Sequence, residues 1–96
     1  VIDLNANHLA IVVSILKTHL PGERVLVFGS RAAGCAKPFS DLDLAIDMSA
    51  PLPVLRLANL RDAFEASALP FKVDLVELIS AAPAFAARIR EQGVKI

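Results

Sequence analysis

The chain has 96 residues, ten Lys and Arg against ten Asp and Glu, and 55% hydrophobic content. This length supports a single domain over residues 1–96, and balanced charge excludes the broad basic stripe that grips nucleic acid directly. No apolar run approaches the ~20 residues of a membrane span and no basic segment precedes an apolar run at the start, which points to a cytoplasmic protein without a membrane partner.

The apolar fraction is high for so short a chain and leaves surface for a partner or a second copy of itself. Cys35 stands alone, so no internal disulfide can form, which fits a reducing compartment. Asn5 and Asn7 are candidate helix caps, and His8 to Leu20 reads as a helix ended by Pro21-Gly22. It is apolar on more than one side, as expected of a helix packed between a sheet and something else. Arg24 to Phe28 is a short strand, broken by Gly29-Ser30, and Ser30 to Ala33 opens a short helix.

After a loop with Gly34 and Pro38, Leu42 to Met48 alternates with period two. Leu42, Leu44, Ile46 and Met48 point one way; Asp41, Asp43, Ala45 and Asp47 point the other. Pro51 and Pro53 mark a loop before a helix over Val54 to Ser67, with Leu57, Leu60 and Phe64 inward and Arg61 and Glu65 paired on the surface. Lys72 to Ile79 is a third strand whose apolar run predicts a central position. Ser80 is the expected cap of a last, alanine-rich helix running to Gln92, and Val94-Lys95-Ile96 adds an edge strand. The order of elements implies an α/β fold, a small mixed β-sheet flanked by helices.

The chemistry is concentrated in Gly29-Ser30-Arg31-Ala32-Ala33-Gly34, in Ser40-Asp41-Leu42-Asp43-Leu44, and in Asp74. Asp41 and Asp43 sit two apart on a strand, so both carboxylates face one side. Carboxylates that close repel unless a cation lies between them, and oxygen-only ligation suits Mg²⁺, which also accepts phosphate oxygens. Asp74 lies within the apolar run Val73-Asp74-Leu75-Val76, where an unpaired carboxylate is costly. Gly29 permits a sharp turn and a close backbone approach to a phosphate. Ser30 sits at a helix start, where free N–H groups favour an anion, and Arg31 offers a charge-assisted contact to the same phosphates.

The pattern G-S-x10-D-x-D followed by a later strand Asp resembles the DNA polymerase β-type nucleotidyltransferase superfamily, and within it the minimal nucleotidyltransferases (MNT). The similarity runs through Val27-Phe28-Gly29-Ser30-Arg31, Ser40 to Ile46, Val73 to Val76 and Ile89 to Val94. The resemblance implies a polymerase β palm-like fold, Gly29 and Ser30 holding a triphosphate, and Asp41, Asp43 and Asp74 binding Mg²⁺ and catalysing transfer of AMP from ATP. It also implies a common setting, a toxin–antitoxin pair in which the small transferase is the antitoxin and adenylylates a helical HEPN-domain protein. The sequence departs from the family at Ala33, where many members carry a second Arg; Lys37 is the candidate substitute.

Plainer readings stand beside these. Asp41 is also a residue type for a turn at a strand entry, Asp74 for a structural pair with Lys72 or an Arg, and Arg31 for an ordinary surface position. Asp47, His8 and His19 read as solvated, Glu77 as an ion-pair partner, and Cys35 as an inert loop residue. Two other functions fit the motif: a small-molecule, antibiotic-type transferase served by a separate helical subunit, and a non-catalytic antitoxin that acts by binding alone.

Overall fold

The computed structural model describes residues 2–96. The first helix, α1, spans Ala6–His19; Asn5 is its N-cap, its side-chain oxygen accepting the His8 N–H at 2.8 Å. The helix buries Val12 and Leu16, and Leu20 closes it. Strand β1 (Arg24–Phe28) leads through Gly29 into α2, a single turn over Ser30–Ala33 that ends on the left-handed Gly34. Strand β2 (Leu42–Asp47), helix α3 (Val54–Glu65), strand β3 (Val73–Glu77), helix α4 (Pro83–Gln92) and strand β4 (Val94–Lys95) follow.

Among the described residues the strands form one sheet in the order β3-β2-β1-β4. β1 runs antiparallel to β2 and to β4, and β2 runs parallel to β3. The alternation along β2 sets the two faces. Leu42, Leu44 and Ile46 join Val25, Val27, Val12, Leu16, Leu60 and Phe64 in a core beneath α1 and α3. Leu26 and Ala45 face the other way and pack against Leu78, Ala86 and Ile89 of α4 and its approach. Burying each of the large aliphatic side chains contributes roughly 1.5–3 kcal/mol, so the two-sided core supplies most of the drive to fold.

Two expectations are corrected here. β3 lies at the edge of the sheet, not in its centre. Its apolar run arises because Val73 and Leu75 pack on the core under α3, so covered faces, rather than two neighbouring strands, account for the composition. Ser80 does not cap the last helix: Leu78–Ser80 is a 3-10 turn, and the helix begins at Pro83 with Ala82 as N-cap. Proline suits that first turn because its φ is preset and its missing N–H would have no partner there. The strand read as running to Ile79 therefore ends at Glu77.

Candidate active site

The antiparallel register of β1 on β2 sets Phe28 opposite Asp43, and the parallel register of β2 on β3 sets Asp43 beside Asp74. Adjacent strands lie ~4.8 Å apart, so Asp43 and Asp74 stand next to each other on one edge of the sheet. Asp41 precedes β2 by one residue, is exposed, and is two positions from Asp43. The sheet thus brings the three aspartates expected from the motif to one end.

Charge at this end is poorly compensated. Burial pushes the Asp43 carboxyl above its ordinary range, and the negative charges of Asp74 and Asp41 push it further. Lys72 Nζ lies 3.2 Å from Asp74 Oδ1, and this bond, with the charges of Asp74 and Asp41, raises the Lys72 ammonium. The structural pairing of Asp74 with Lys72 therefore exists alongside its place by Asp43. Among the described residues, Asp41 and Asp43 have no cationic side chain within ion-pairing distance. Nor do any three acidic, histidine or cysteine side chains there close into a ready-made metal cage. A cation at this edge would complete its shell with water and substrate oxygens, as Mg²⁺ commonly does.

Gly29 adjoins the same edge. Its φ is +74°, and a Cβ there would run into Asp43 Oδ2. The position is closed to other residues twice, by conformation and by space. Ser30 follows in the first turn of α2, where the leading N–H groups have no intrahelical partner.

Arg31 does something other than expected. It is buried and points inward, donating to the backbone oxygens of Asp3 (2.8 Å), Pro38 (3.2 Å) and Ser40 (2.8 and 3.1 Å), with Lys37 O at 3.5 Å. Its guanidinium also lies over the Phe71 ring at 4.2 Å from the centroid. The expectation of a phosphate contact is corrected: these acceptors occupy the planar fork, and the residue ties the loop before Asp41 to the chain start and to the approach of β3. Asp47 is likewise not simply solvated, since Arg24 (3.4 Å) and Arg90 (3.2 Å) both reach it. Glu77 accepts the Leu52 N–H at 3.2 Å, and His8 meets Phe71 edge-on.

Sequence reasoning missed one group of residues. A cavity of about 400 Å³ opens beside Gly29, between α2 and α4, and its lining includes Phe28, Ala33, Phe85, Arg88 and Gln92. Phe28 and Phe85 meet edge to face with centroids 5.9 Å apart. The signal was present in the spacing, since Phe85, Arg88, Ile89 and Gln92 fall on one helical face. Lys37, the candidate substitute for a cation at position 33, is not part of this lining.

A mixed sheet in this order, helices on both faces, and a glycine turn against a β2 carboxylate together describe a nucleotidyltransferase fold. A family model described as polymerase beta, nucleotidyltransferase matches residues 11–96, and the chain belongs to that family. It is 42% identical over 95 residues to a probable protein adenylyltransferase MntA of Haemophilus influenzae, covering 99% of this chain and 83% of the relative. A solved structure of a toxin–antitoxin with AMP-PNP superposes with a TM-score of 0.73 at 30% identity, over 96% of this chain and 72% of the other. A second, of a tri-AMPylated Shewanella oneidensis HEPN toxin in complex with MNT antitoxin, gives 0.62 at 27% identity, over 88% and 64%.

Proposed function

We propose that this chain is the antitoxin of a toxin–antitoxin pair and acts by Mg²⁺-dependent transfer of AMP from ATP to a hydroxyl of a helical HEPN-domain partner. The observation that carries the reading is the register of Asp43 beside Asp74, next to a glycine whose missing side chain leaves room for the Asp43 carboxylate. Adjacent carboxylates of which only Asp74 is paired, to Lys72, form a site whose electrostatics call for a cation. The similarity to MntA and to toxin–antitoxin complexes, one with AMP-PNP and one with a tri-AMPylated HEPN toxin, supports the donor and the acceptor class.

In this reading Asp41, Asp43 and Asp74 hold Mg²⁺, which when bound supplies positive charge to stabilise the phosphoryl oxygens at the reacting centre. Gly29 leaves the backbone bare where phosphates pass, and the Ser30 hydroxyl donates to a phosphate oxygen. Asp74 completes the site from the edge strand, beside Asp43. The acceptor hydroxyl releases its proton to solvent as its oxygen bonds to the α-phosphorus, the bond from the α-phosphorus to the oxygen bridging to the β-phosphate breaks in line, and pyrophosphate leaves with that oxygen. Positioning the acceptor is most of what such catalysis requires, and the partner supplies that positioning.

With labelled ATP and Mg²⁺ the isolated chain should transfer little, whereas adding its cognate helical HEPN-domain partner should label that partner. Asp41→Asn should abolish the label. Rapid transfer to an aminoglycoside without any partner would overturn the protein acceptor. Full neutralisation of the partner by Asp41→Asn, with no label on either chain, would overturn catalysis as the mode of action.

A further inference from the structure

The cavity beside Gly29 has one charged side chain in its lining. Its volume, about 400 Å³, falls in the range of small-molecule sites, roughly 300–1,000 Å³. Gly29 lines it and also lies against Asp43 Oδ2, so the cavity adjoins the carboxylate edge. The wall formed by Ala32 and Ala33 offers neither charge nor a side-chain donor. Opposite it, Arg88 and Gln92 stand one turn apart on α4.

Among the described residues Lys37 and Arg61 make no ion pair but lie outside this lining, and three other basic side chains are held elsewhere. Arg31 is turned inward onto backbone oxygens, Lys72 is bonded to Asp74, and Arg90, two residues along α4, is tied to Asp47. Among the described residues Arg88 has no carboxylate within ion-pairing distance and makes no side-chain hydrogen bond of its own. An anion brought to an edge made of carboxylates needs its donors from elsewhere. We propose that Arg88 is a phosphate ligand of this enzyme, holding the outer phosphates of the nucleoside triphosphate from α4, across the cavity from Ala33. The proposal rests on the nucleotidyltransferase reading of the aspartate edge. A guanidinium suits the task because its planar fork matches two phosphate oxygens at once and stays charged. The active-site cation that α2 lacks at position 33 is supplied, in this chain, from the opposite wall.

The test compares ATP and AMP binding, with Mg²⁺, by calorimetry in the full chain and in Arg88→Ala, Arg88→Lys and Arg90→Ala. Arg88→Ala should weaken ATP binding on the order of tenfold or more while AMP binding stays within about twofold, because only the outer phosphates lose a donor. Arg88→Lys should recover part of the loss and Arg90→Ala should leave both affinities in place. Thermal melts identify any variant that fails to fold, and Arg88→Lys keeps the charge and the helix if Arg88→Ala does not. Unchanged ATP affinity in Arg88→Ala overturns the proposal. So does an equal loss for ATP and AMP, which would put the guanidinium on the nucleoside. A wild-type chain that binds no ATP with Mg²⁺ removes the proposed function itself, and this inference with it.

Discussion

Asp43 and Asp47 lie on the same face of β2, one near each end of the strand, and the protein surrounds them in opposite ways. Asp47 receives Arg24 from the neighbouring strand, its register partner, and Arg90 from α4. Asp43 receives a glycine on one side and another aspartate on the other, and its carboxyl is pushed upward by burial and by like charge. One carboxylate is satisfied by the fold. The other is left to be satisfied by something the fold does not contain. The difference teaches that spacing along a strand does not separate a structural aspartate from a functional one, whereas the charge of its neighbours does.

The sharpest way to break this comparison is to neutralise each carboxylate in turn. Asp43→Asn should lower transfer at least ~10²-fold, since charge stabilisation by a bound cation is worth several kcal/mol at the transition state. Its melting temperature should hold or rise. Asp47→Asn should show the reverse, with transfer retained and about 1 kcal/mol of stability lost, which lowers Tm by ~4–8 °C in a domain of this size. Labelled transfer and thermal melts on both variants decide it, and similar activity losses in the two would erase the distinction.

Arg31 extends the comparison to a buried cation that is satisfied wholly by backbone oxygens. Arg31→Ala should cost about 3 kcal/mol, because buried carbonyls of Asp3, Pro38 and Ser40 lose their donor together. Arg31→Lys should recover little of it, as one ammonium cannot reach acceptors spread around a planar fork. Denaturant titration measures both. Near-native stability in Arg31→Ala would return the residue to the plainer reading of an ordinary surface arginine.

The smallest effect is one of pH. The folded chain holds the Asp43 proton more tightly than the unfolded chain, whose carboxyl titrates near 3.8. Stability from this group is therefore lost as pH rises from that value through the higher folded one, and it stays lost toward neutrality. The melting temperature of Asp43→Asn relative to wild type should climb over the same window, and Mg²⁺ with ATP should narrow the gap by stabilising only the wild type. A difference that is flat from about pH 4 to 7 would mean that Asp43 is not the frustrated group.

The stretch from β1 to β2 was legible because it is written locally. Period-two alternation placed Asp41 and Asp43 on the face away from Leu42 and Leu44, and the sheet is mixed as expected, with β1 antiparallel to β2 and β3 parallel to it. What was illegible depends on distant packing. Arg31 follows a phosphate-type turn, yet its direction is settled by Phe71, forty positions later in the chain, and by the carbonyls of its own loop. The edge position of β3 depends on what lies beyond it, which an apolar run does not record. The face of α4 bearing Arg88 was readable as a stripe, but the wall opposite it was not.

The loop between α2 and β2 carries a consequence of a different kind. Surface loops ordinarily accept an added or deleted residue at slight cost, since closure entropy changes slowly with length. This one does not have that freedom, because the oxygens of Pro38 and Ser40 meet on a single guanidinium anchored nine residues before Ser40. An insertion would pull one of them off the arginine or push Asp41 along the strand, out of step with Asp43 and Asp74. The interval of ten residues between Ser30 and Asp41 is thus a gauge length, set by the reach of one side chain.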